Sequence, residues 1–368
     1  MQQTPVKTIF NRGLSGVLYY VVMDLTGLQK VLAKEPRYRL QQVKRGLFQD
    51  LIDDWSQATT LPLSLRNELK ENCQIGIPAE TFISKDRTSV KALITLKDGL
   101  QIETVLLCHK GEKPRNTICV SSGVGCPLGC CFCATGKMGF KRNLDFFEIV
   151  GQVLFFARYL KKSNQKVTNV VFMGMGEPFL NYENVIEAIR ILNDKEGFNL
   201  GARHFSISTV GIIEGIEKLS AEKLQINLAI SLNAPDDTLR SRIMPINEKY
   251  PIDEILRAVD NYIKKTRRKV MFEYVMIDQL NDSDQAAREL IKIAKRKLCF
   301  VNLIPYNPTG QFQPSFHHRV EKFKGILEKG GVNVTQRYRF GREIKAACGQ
   351  LATKHLQIPT SGHQNAAT

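Results

Sequence analysis

The sequence predicts an α/β fold in which repeated βα units close or partly close into a barrel, preceded by a small helical accessory domain. Three observations predict it. From about residue 117 to 350, apolar strand-length runs alternate with amphipathic helix-length stretches, the rhythm of βαβ units and a parallel sheet. Residues 24–88 instead carry helical periodicity. Four cysteines crowd residues 126–133, just after the first strand of the array, where a barrel places its chemistry on the loops at the strands' C-terminal ends.

Size and charge bound the answer. The 368 residues allow one large domain plus a smaller one, and 43% hydrophobic residues suffice for a sizeable core. Lys plus Arg is 52 against 36 Asp plus Glu, a net charge of +16 and a pI of about 9.4. A surplus of that size favours a polyanionic partner, because each phosphate neutralised releases counterions. The apolar stretch near the start, Leu14 to Met23, is about ten residues, where a spanning helix needs about 20. Asp24-Leu25-Thr26 behind it is not a small-residue cleavage site. We expect residues 1–23 to be a disordered leader and the protein to be cytoplasmic.

In chain order, Tyr38 to Trp55 carries apolar residues at helical spacing, with a basic face at Arg37, Arg39, Lys44 and Arg45. Pro62 and Ser64 open a second helical stretch, Leu65 to Glu71. Such a module suits nucleic-acid docking; an ordinary solvated helix face is the plain alternative. Residues 90–107 alternate apolar and polar around Lys97-Asp98-Gly99, which predicts a hairpin, the linker at 89–116. Strands are then expected at Thr117–Ser121, Val167–Gly174, His204–Val210, Ile226–Leu232, Val270–Ile277, Phe300–Tyr306 and Val332–Tyr338. Helices are expected at Phe146–Leu160, Tyr182–Leu192, Ile252–Ile263 and Asp284–Ala294. The core thus spans 117–350, and residues 351–368 read as a disordered tail.

The chemistry concentrates in Cys126-Pro127-Leu128-Gly129-Cys130-Cys131-Phe132-Cys133. Nine cysteines in all, four of them within eight residues, are not a secreted disulfide framework. Thiolates at CxxxCxxC spacing are soft ligands for an iron–sulfur cluster or for zinc. Three can hold three irons of a cube and leave the fourth open, whereas zinc needs a fourth ligand, and no second Cys or His pair stands at finger spacing. Cys131 lies between ligands and is expected to pack. Phe172-Met173-Gly174-Met175-Gly176-Glu177-Pro178 ends the next strand; its glycines permit close approach to the backbone, and Glu177 can accept hydrogen bonds from an amino group. By itself that segment also reads as a plain turn.

Taken together, these segments resemble the RlmN family of radical S-adenosylmethionine (SAM) RNA-adenosine methyltransferases, with Cfr as nearest relative. The likeness runs from the helical module through Cys348. It is carried by Ile102-Glu103-Thr104-Val105, by Cys119 through Cys126, by Cys133 to Leu144, and by Gly174 to Pro178. It continues through Ser206 to Thr209, Ser231-Leu232-Asn233-Ala234-Pro235, Met244 to Asn247, Asn302 to Pro308 and Ala347 to Leu351.

The resemblance implies a partial (βα)6-type radical SAM barrel holding a [4Fe–4S] cluster on Cys126, Cys130 and Cys133. It also implies methylation of adenine C2 in 23S rRNA and tRNA. On that pattern Cys348 takes a methyl from one SAM, a 5′-deoxyadenosyl radical from a second activates it, and Cys119 resolves the RNA adduct by forming a disulfide with Cys348. Glu103 matches the proton acceptor. Gly176, Glu177, Ser208, Ser231, Leu232, Asn233 and Asn307 match SAM-contacting positions; the family often has His where this chain has Asn233. An electron donor such as flavodoxin or ferredoxin and a monomeric state are expected. On their own residues, Cys119 and Cys348 could equally be buried packing and Glu103 a surface carboxylate. C8 methylation, as in Cfr, and a non-catalytic zinc and RNA-binding protein are the alternatives.

The charge predicts salt-sensitive RNA binding. If about five phosphates are engaged, a plot of log affinity against log salt falls with a slope of about −3.5, roughly 0.7 per phosphate on a single-stranded region. Filter binding across a salt series checks this, and a flat response would make the +16 incidental.

Overall fold

The computed structural model describes residues 25–112, 114–337, 341 and 343–352. The expected leader, residues 1–23, lies outside them, as do residues 353–368 of the expected tail. The chain divides into two compact units, one formed up to Gly76 together with Arg190–Asn199, the other by Ile77–Ile189 and the chain from Leu200 on.

In the first unit, α1 (Leu25–Leu32), α2 (Arg37–Phe48) and α3 (Leu63–Asn72) bury Leu28, Val43, Leu47, Leu65 and Leu69 around Trp55. The indole N–H of Trp55 donates to the Cys73 carbonyl at 2.6 Å, which satisfies its one polar atom in the core. The helical periodicity from Tyr38 does not run on to Trp55. Helix α2 ends at Phe48, and Leu51 turns the chain at φ +53. Lys44 is also not part of a solvated basic face. It is buried, with its ammonium 2.5 Å from Asp194, while Arg37 and Arg45 stay exposed.

In the second unit, β1 (Ala79–Ile83), β2 (Ser89–Thr95) and β3 (Gln101–His109) form an antiparallel meander that runs into β4 (Arg115–Val120). Strand β1 lies inside the stretch read as helical. The expected hairpin linker is part of the main sheet: Val105 of β3 pairs with Cys119 of β4. A short ribbon, β5 (Gly123–Gly125) and β6 (Phe140–Asn143), flanks a single helical turn, α4 (Ala134–Lys137). The βα array follows as α5 (Phe146–Lys161), β7 (Asn169–Phe172), α6 (Tyr182–Asn193), β8 (Phe205–Thr209), α7 (Ile213–Ala221), β9 (Asn227–Ser231), α8 (Asp237–Ile243) and α9 (Ile252–Thr266). It ends with β10 (Val270–Met276), α10 (Asp284–Ala294), β11 (Cys299–Pro305), α11 (His317–Lys329) and β12 (Val334–Gln336).

The ten-stranded sheet has the order β1-β2-β3-β4-β7-β8-β9-β10-β11-β12, parallel from β4 onward. Its parallel strands are nearly continuous apolar runs because helices cover them. The helices start where the sequence supplies caps. Asp145 and Glu148 form a capping box on α5, and Ser283 accepts from Ala286 N–H on α10. Helix α9 buries Ile252, Ile255, Leu256, Val259 and Tyr262 at helical spacing and stops where Arg267 turns left-handed at φ +58. No helix of the described residues is long and apolar enough to cross a membrane.

Arg240 of α8 ties the C-terminal ends of β8 and β9 together. It is fully buried, and its guanidinium donates to the carbonyls of Val210 (2.5 Å), Leu232 (3.1 Å), Tyr250 (3.0 Å) and Ser231 (3.4 Å) and to the Asn247 side chain (2.7 Å). Burial lowers its pKa to about 10, so it remains a cation at neutral pH. Arg240→Met leaves several buried acceptors without a donor, each worth about 1–3 kcal/mol. We expect a stability loss on the order of 3–5 kcal/mol, read by chemical denaturation.

Candidate functional site

The site forms at the C-terminal ends of the parallel strands, around a cavity of about 160 Å³. Two loops make its floor, the one after β4 and the one after β7. Met175 accepts from the backbone N–H groups of Ser122 (2.8 Å) and Gly123 (3.1 Å), and Ser121 Oγ accepts from Met175 N–H (2.9 Å). The loops lie so close that a Cβ on Gly174 would stand 2.6 Å from the Val120 carbonyl oxygen. One on Gly176, at φ +100, would stand 2.7 Å from Gly123 N. Both glycines therefore serve the chain's own close approach.

Cys126, Cys130 and Cys133 all line the cavity with free thiols. Cys126 directly follows β5, within the connection to β6, its N–H donating to the Gly139 carbonyl at 3.0 Å, and Cys133 N–H donates to the Cys130 carbonyl at 3.1 Å. Burial pushes the Cys126 thiol up to about 12 and raises Cys130 further, so a metal must displace those protons to form thiolates. Cys131 is not among the cavity's lining residues; its N–H donates to the Ile243 carbonyl at 3.1 Å. Among the described residues, no three His, Cys, Asp or Glu side chains converge on one ion site.

Gly176, Glu177, Ser208, Ser231, Asn233 and Asn307 also line the cavity. Leu232 does not; it is buried beneath, its N–H donating to the Glu273 carbonyl at 3.0 Å. Asn233 holds the left-handed conformation at φ +59, which Asn tolerates, and its Oδ1 accepts from Val275 N–H at 3.0 Å. Glu177 bridges two strand ends, accepting from Phe179 N–H and Val210 N–H, each at 3.0 Å. Burial raises its carboxyl to about 7 against those bonds. Ser208 and Ser231 both donate to Oε2 of Glu273, and Glu273 Oε1 and Asn307 Oδ1 are buried without a hydrogen-bond partner. These two open acceptors, three thiols and the hydroxyls form a donor set that suits a [4Fe–4S] cluster with SAM beside it.

Cys348 lines the same cavity from the C-terminal segment. Glu343 to Lys345 form a turn just before it. Cys348 itself sits in a tight turn closed by Gln350 N–H to the Ala347 carbonyl (3.0 Å), with Gly349 at φ +79. Asn307 Nδ2 donates to the Cys348 carbonyl at 3.2 Å. The segment is pinned further by Ala134 N–H to the Gly349 carbonyl (2.8 Å) and Thr135 Oγ1 to the Leu351 carbonyl (2.7 Å). Leu351 and Ala352, read as the start of a disordered tail, are thus part of the packed structure.

Cys119 and Glu103 lie outside the cavity lining. Cys119, in β4, is buried and its thiol is pushed up to about 12, chiefly by burial and next by the charge of Cys348. Glu103, in β3, is buried rather than a surface carboxylate. Its Oε1 accepts from Lys91 Nζ at 2.8 Å and its Oε2 from Ala352 N–H at 2.8 Å. Sequence reasoning missed Glu273, Arg337, Lys91 and Thr135. An acid inside the apolar run Val270–Met276 was the available signal for Glu273; Arg337 had none.

Comparisons with known proteins show the family. Residues 120–291 match the Radical SAM superfamily. The chain is 46% identical over 325 residues to a probable dual-specificity RNA methyltransferase RlmN of Dictyoglomus turgidum, covering 88% of this chain and 92% of that one. It is 45% identical over 325 residues to the ribosomal RNA large subunit methyltransferase N of Nitrosopumilus maritimus, covering 86% and 93%. A solved radical SAM methyltransferase from Sphaerobacter thermophilus superposes with a TM-score of 0.84 at 43% identity, over 89% of this chain and 97% of that one.

The raised Glu177 carboxyl has a stability consequence. Folding favours its protonated form, so its contribution is fully present below the ordinary carboxylate range and is lost as the pH rises through about 7. Glu177→Gln removes that dependence. The variant's stability relative to wild type is expected to improve by on the order of 2–3 kcal/mol between pH 4.5 and 8. Denaturant titrations at several pH values check this; a constant difference would mean that Glu177 titrates normally.

Proposed function

Since the chain belongs to the RlmN family of radical SAM RNA methyltransferases, we propose that it methylates C2 of an adenosine in 23S rRNA and in tRNA, with Cys348 as the methyl carrier. The observation that carries this reading is the position of Cys348, which shares one cavity with Cys126, Cys130 and Cys133. Adenine C2 is an sp² carbon without nucleophilic character, so direct displacement from SAM cannot methylate it. When bound, the cluster on the three thiolates and SAM supply the electron and the hydrogen-abstracting radical that an unactivated methyl group requires.

The chain's own residues do the rest. Asn307 holds the Cys348 carbonyl, and the turn at Gly349 presents the thiol to the cavity. Gly176, Glu177, Ser208, Ser231, Asn233 and Asn307 surround the space for SAM, and Leu232 supports it from below. Cys119 stays protonated at neutral pH, which suits a thiol that reacts only after the carrier has delivered its carbon. Lys91 orients the Glu103 carboxylate as proton acceptor, and release of Ala352 N–H frees its second oxygen. The reading carries with it an electron donor of flavodoxin or ferredoxin type, action as a monomer and a cytoplasmic location.

Two variants test it. Cys348→Ala is expected to form no protein–RNA adduct, and Cys119→Ala to attack RNA once and stall as a covalent complex, seen as a shifted band on a denaturing gel with labelled RNA. Nucleosides from wild-type reactions are expected to contain 2-methyladenosine by mass spectrometry; 8-methyladenosine would move the assignment to C8. Normal turnover by both variants would overturn the carrier mechanism.

A further inference from the structure

A second opening adjoins the cavity and has no part in the mechanism. It is a groove of about 1050 Å³ between the start of α11 and β12, the last strand of the sheet. Pro305 and Arg337 line both the groove and the cavity, so the two share a wall. The segment leading into α11 is fixed by Asp278 N–H to the Gln313 carbonyl (3.0 Å) and by a β-bridge between Ile277 and Pro314.

Three features of the groove call for a ligand. Ser315 lines it and is only 4% exposed, yet among the described residues its Oγ has no hydrogen-bond partner. A buried hydroxyl left so costs stability until something outside the chain supplies the partner. Beside it, α11 starts without a side-chain cap. Arg319 and Val320 N–H both donate to the Phe316 carbonyl, at 3.0 and 3.1 Å, and the N–H groups of His317 and His318 stand ahead of them at the helix end. Such an end carries partial positive charge and suits an anion. Phe316 is 64% exposed, its ring stacked with that of His318 at 5.8 Å between centroids and 19° between planes. A ring so held offers a platform to a flat ligand.

We propose that this groove is a second RNA subsite, which seats one unpaired nucleotide next to the adenosine in the cavity. Its base lies against Phe316, and its phosphate meets the start of α11 with Ser315 Oγ as a donor. This rests on the reading that RNA is the substrate of the adjoining cavity. An anion site beside an aromatic platform matches the two halves of a nucleotide. Asp278 and Glu321 also line the groove. They disfavour a bare polyanion but accept hydrogen bonds from the amino groups of bases. RNA rather than a peptide is the occupant because the groove is continuous with the cavity, Lys324 adds a cation on the same face of α11, and the chain carries a net charge of +16. Holding the neighbour outside the cavity breaks its stack on the target adenine, which lets the target enter alone.

The test is a double cycle on RNA binding by the full, cluster-loaded chain under anaerobic conditions. The probe is an RNA stem–loop with one unpaired adenosine, used intact and with an abasic site on the 5′ or the 3′ side of that adenosine. Phe316→Ala, at an exposed position, is expected to weaken binding of the intact RNA about tenfold, the loss of one base stack. One of the two abasic RNAs is expected to bind wild type about tenfold more weakly, and to bind Phe316→Ala no more weakly than intact RNA does. Ser315→Ala is expected to weaken binding about fivefold without lowering the thermal midpoint, since its Oγ bonds nothing in the free protein. An abasic loss that is the same in wild type and Phe316→Ala overturns the proposal. So does unchanged affinity of Phe316→Ala for intact RNA, the result expected of a groove that instead takes a peptide along β12. Nucleosides from rRNA and tRNA treated with wild type read the methylation itself. Absence of methyladenosine there removes the substrate reading on which the subsite rests, while methylated RNA with independent losses sinks the subsite alone.

Discussion

The Met175 carbonyl accepts two backbone hydrogen bonds, from Ser122 and Gly123, and that clasp sets the geometry of the whole site. It brings the loop after β4 against the loop after β7 and so fixes the start of the cysteine segment relative to Glu177. The clasp exists only because Gly174 and Gly176 lack a Cβ, since any side chain there would strike backbone at under 3 Å. A parallel sheet delivers strand ends to one rim, but it does not make the loops touch. Two glycines do that, and the thiols, the carboxylate and the cavity inherit their positions from it.

Around that clasp the protein keeps charged and polar groups in an interior that disfavours them. Glu177 is buried with backbone donors but no cation, Arg240 with carbonyls but no carboxylate, and Glu273 with one oxygen unsatisfied. Each arrangement costs stability in the free protein. A cofactor or substrate that supplies the missing partner recovers part of that cost on binding, which is how a site comes to discriminate in favour of its ligand. The hydrogen bonds spanning the ends of β8, β9 and β10 hold these groups rigid, so little reorganisation is needed when the partner arrives.

The C-terminal segment is the element through which the cysteines become a system. Residues 343–352 lie where Ala134 and Thr135, Asn307 and Glu103 hold their backbone from three separate parts of the sequence. These contacts are polar and directed at backbone groups, so the segment is docked by a few hydrogen bonds in addition to the burial of Leu351. Such an attachment can open locally without unfolding the barrel. The carrier role proposed for Cys348 calls for that freedom.

Much of this was legible in the linear sequence. All seven strands expected between residues 117 and 350 are present, because parallel strands covered by helices must be apolar along their length. The four long helices follow their 3.6-residue periodicity, and the cysteine spacing picked out a loop whose Cys126, Cys130 and Cys133 line the cavity. What failed was local pattern overruled by distant contacts. Strand β1 has an indistinct half-exposed pattern and is defined by its pairing with β2. Lys44 reads as a surface cation until Asp194, 150 residues away, meets it. Glu103 is placed beside Ser121 by a β-sheet register, and its carboxylate is claimed by Lys91 across a hairpin and by Ala352 from the end of the chain. The sequence by itself determined the order of elements and the chemical inventory, since periodicity and ligand spacing are local properties. The tertiary structure alone decided which of these groups meet, because Glu273, Arg337 and Cys348 come from three distant segments and line one cavity only once the chain is folded.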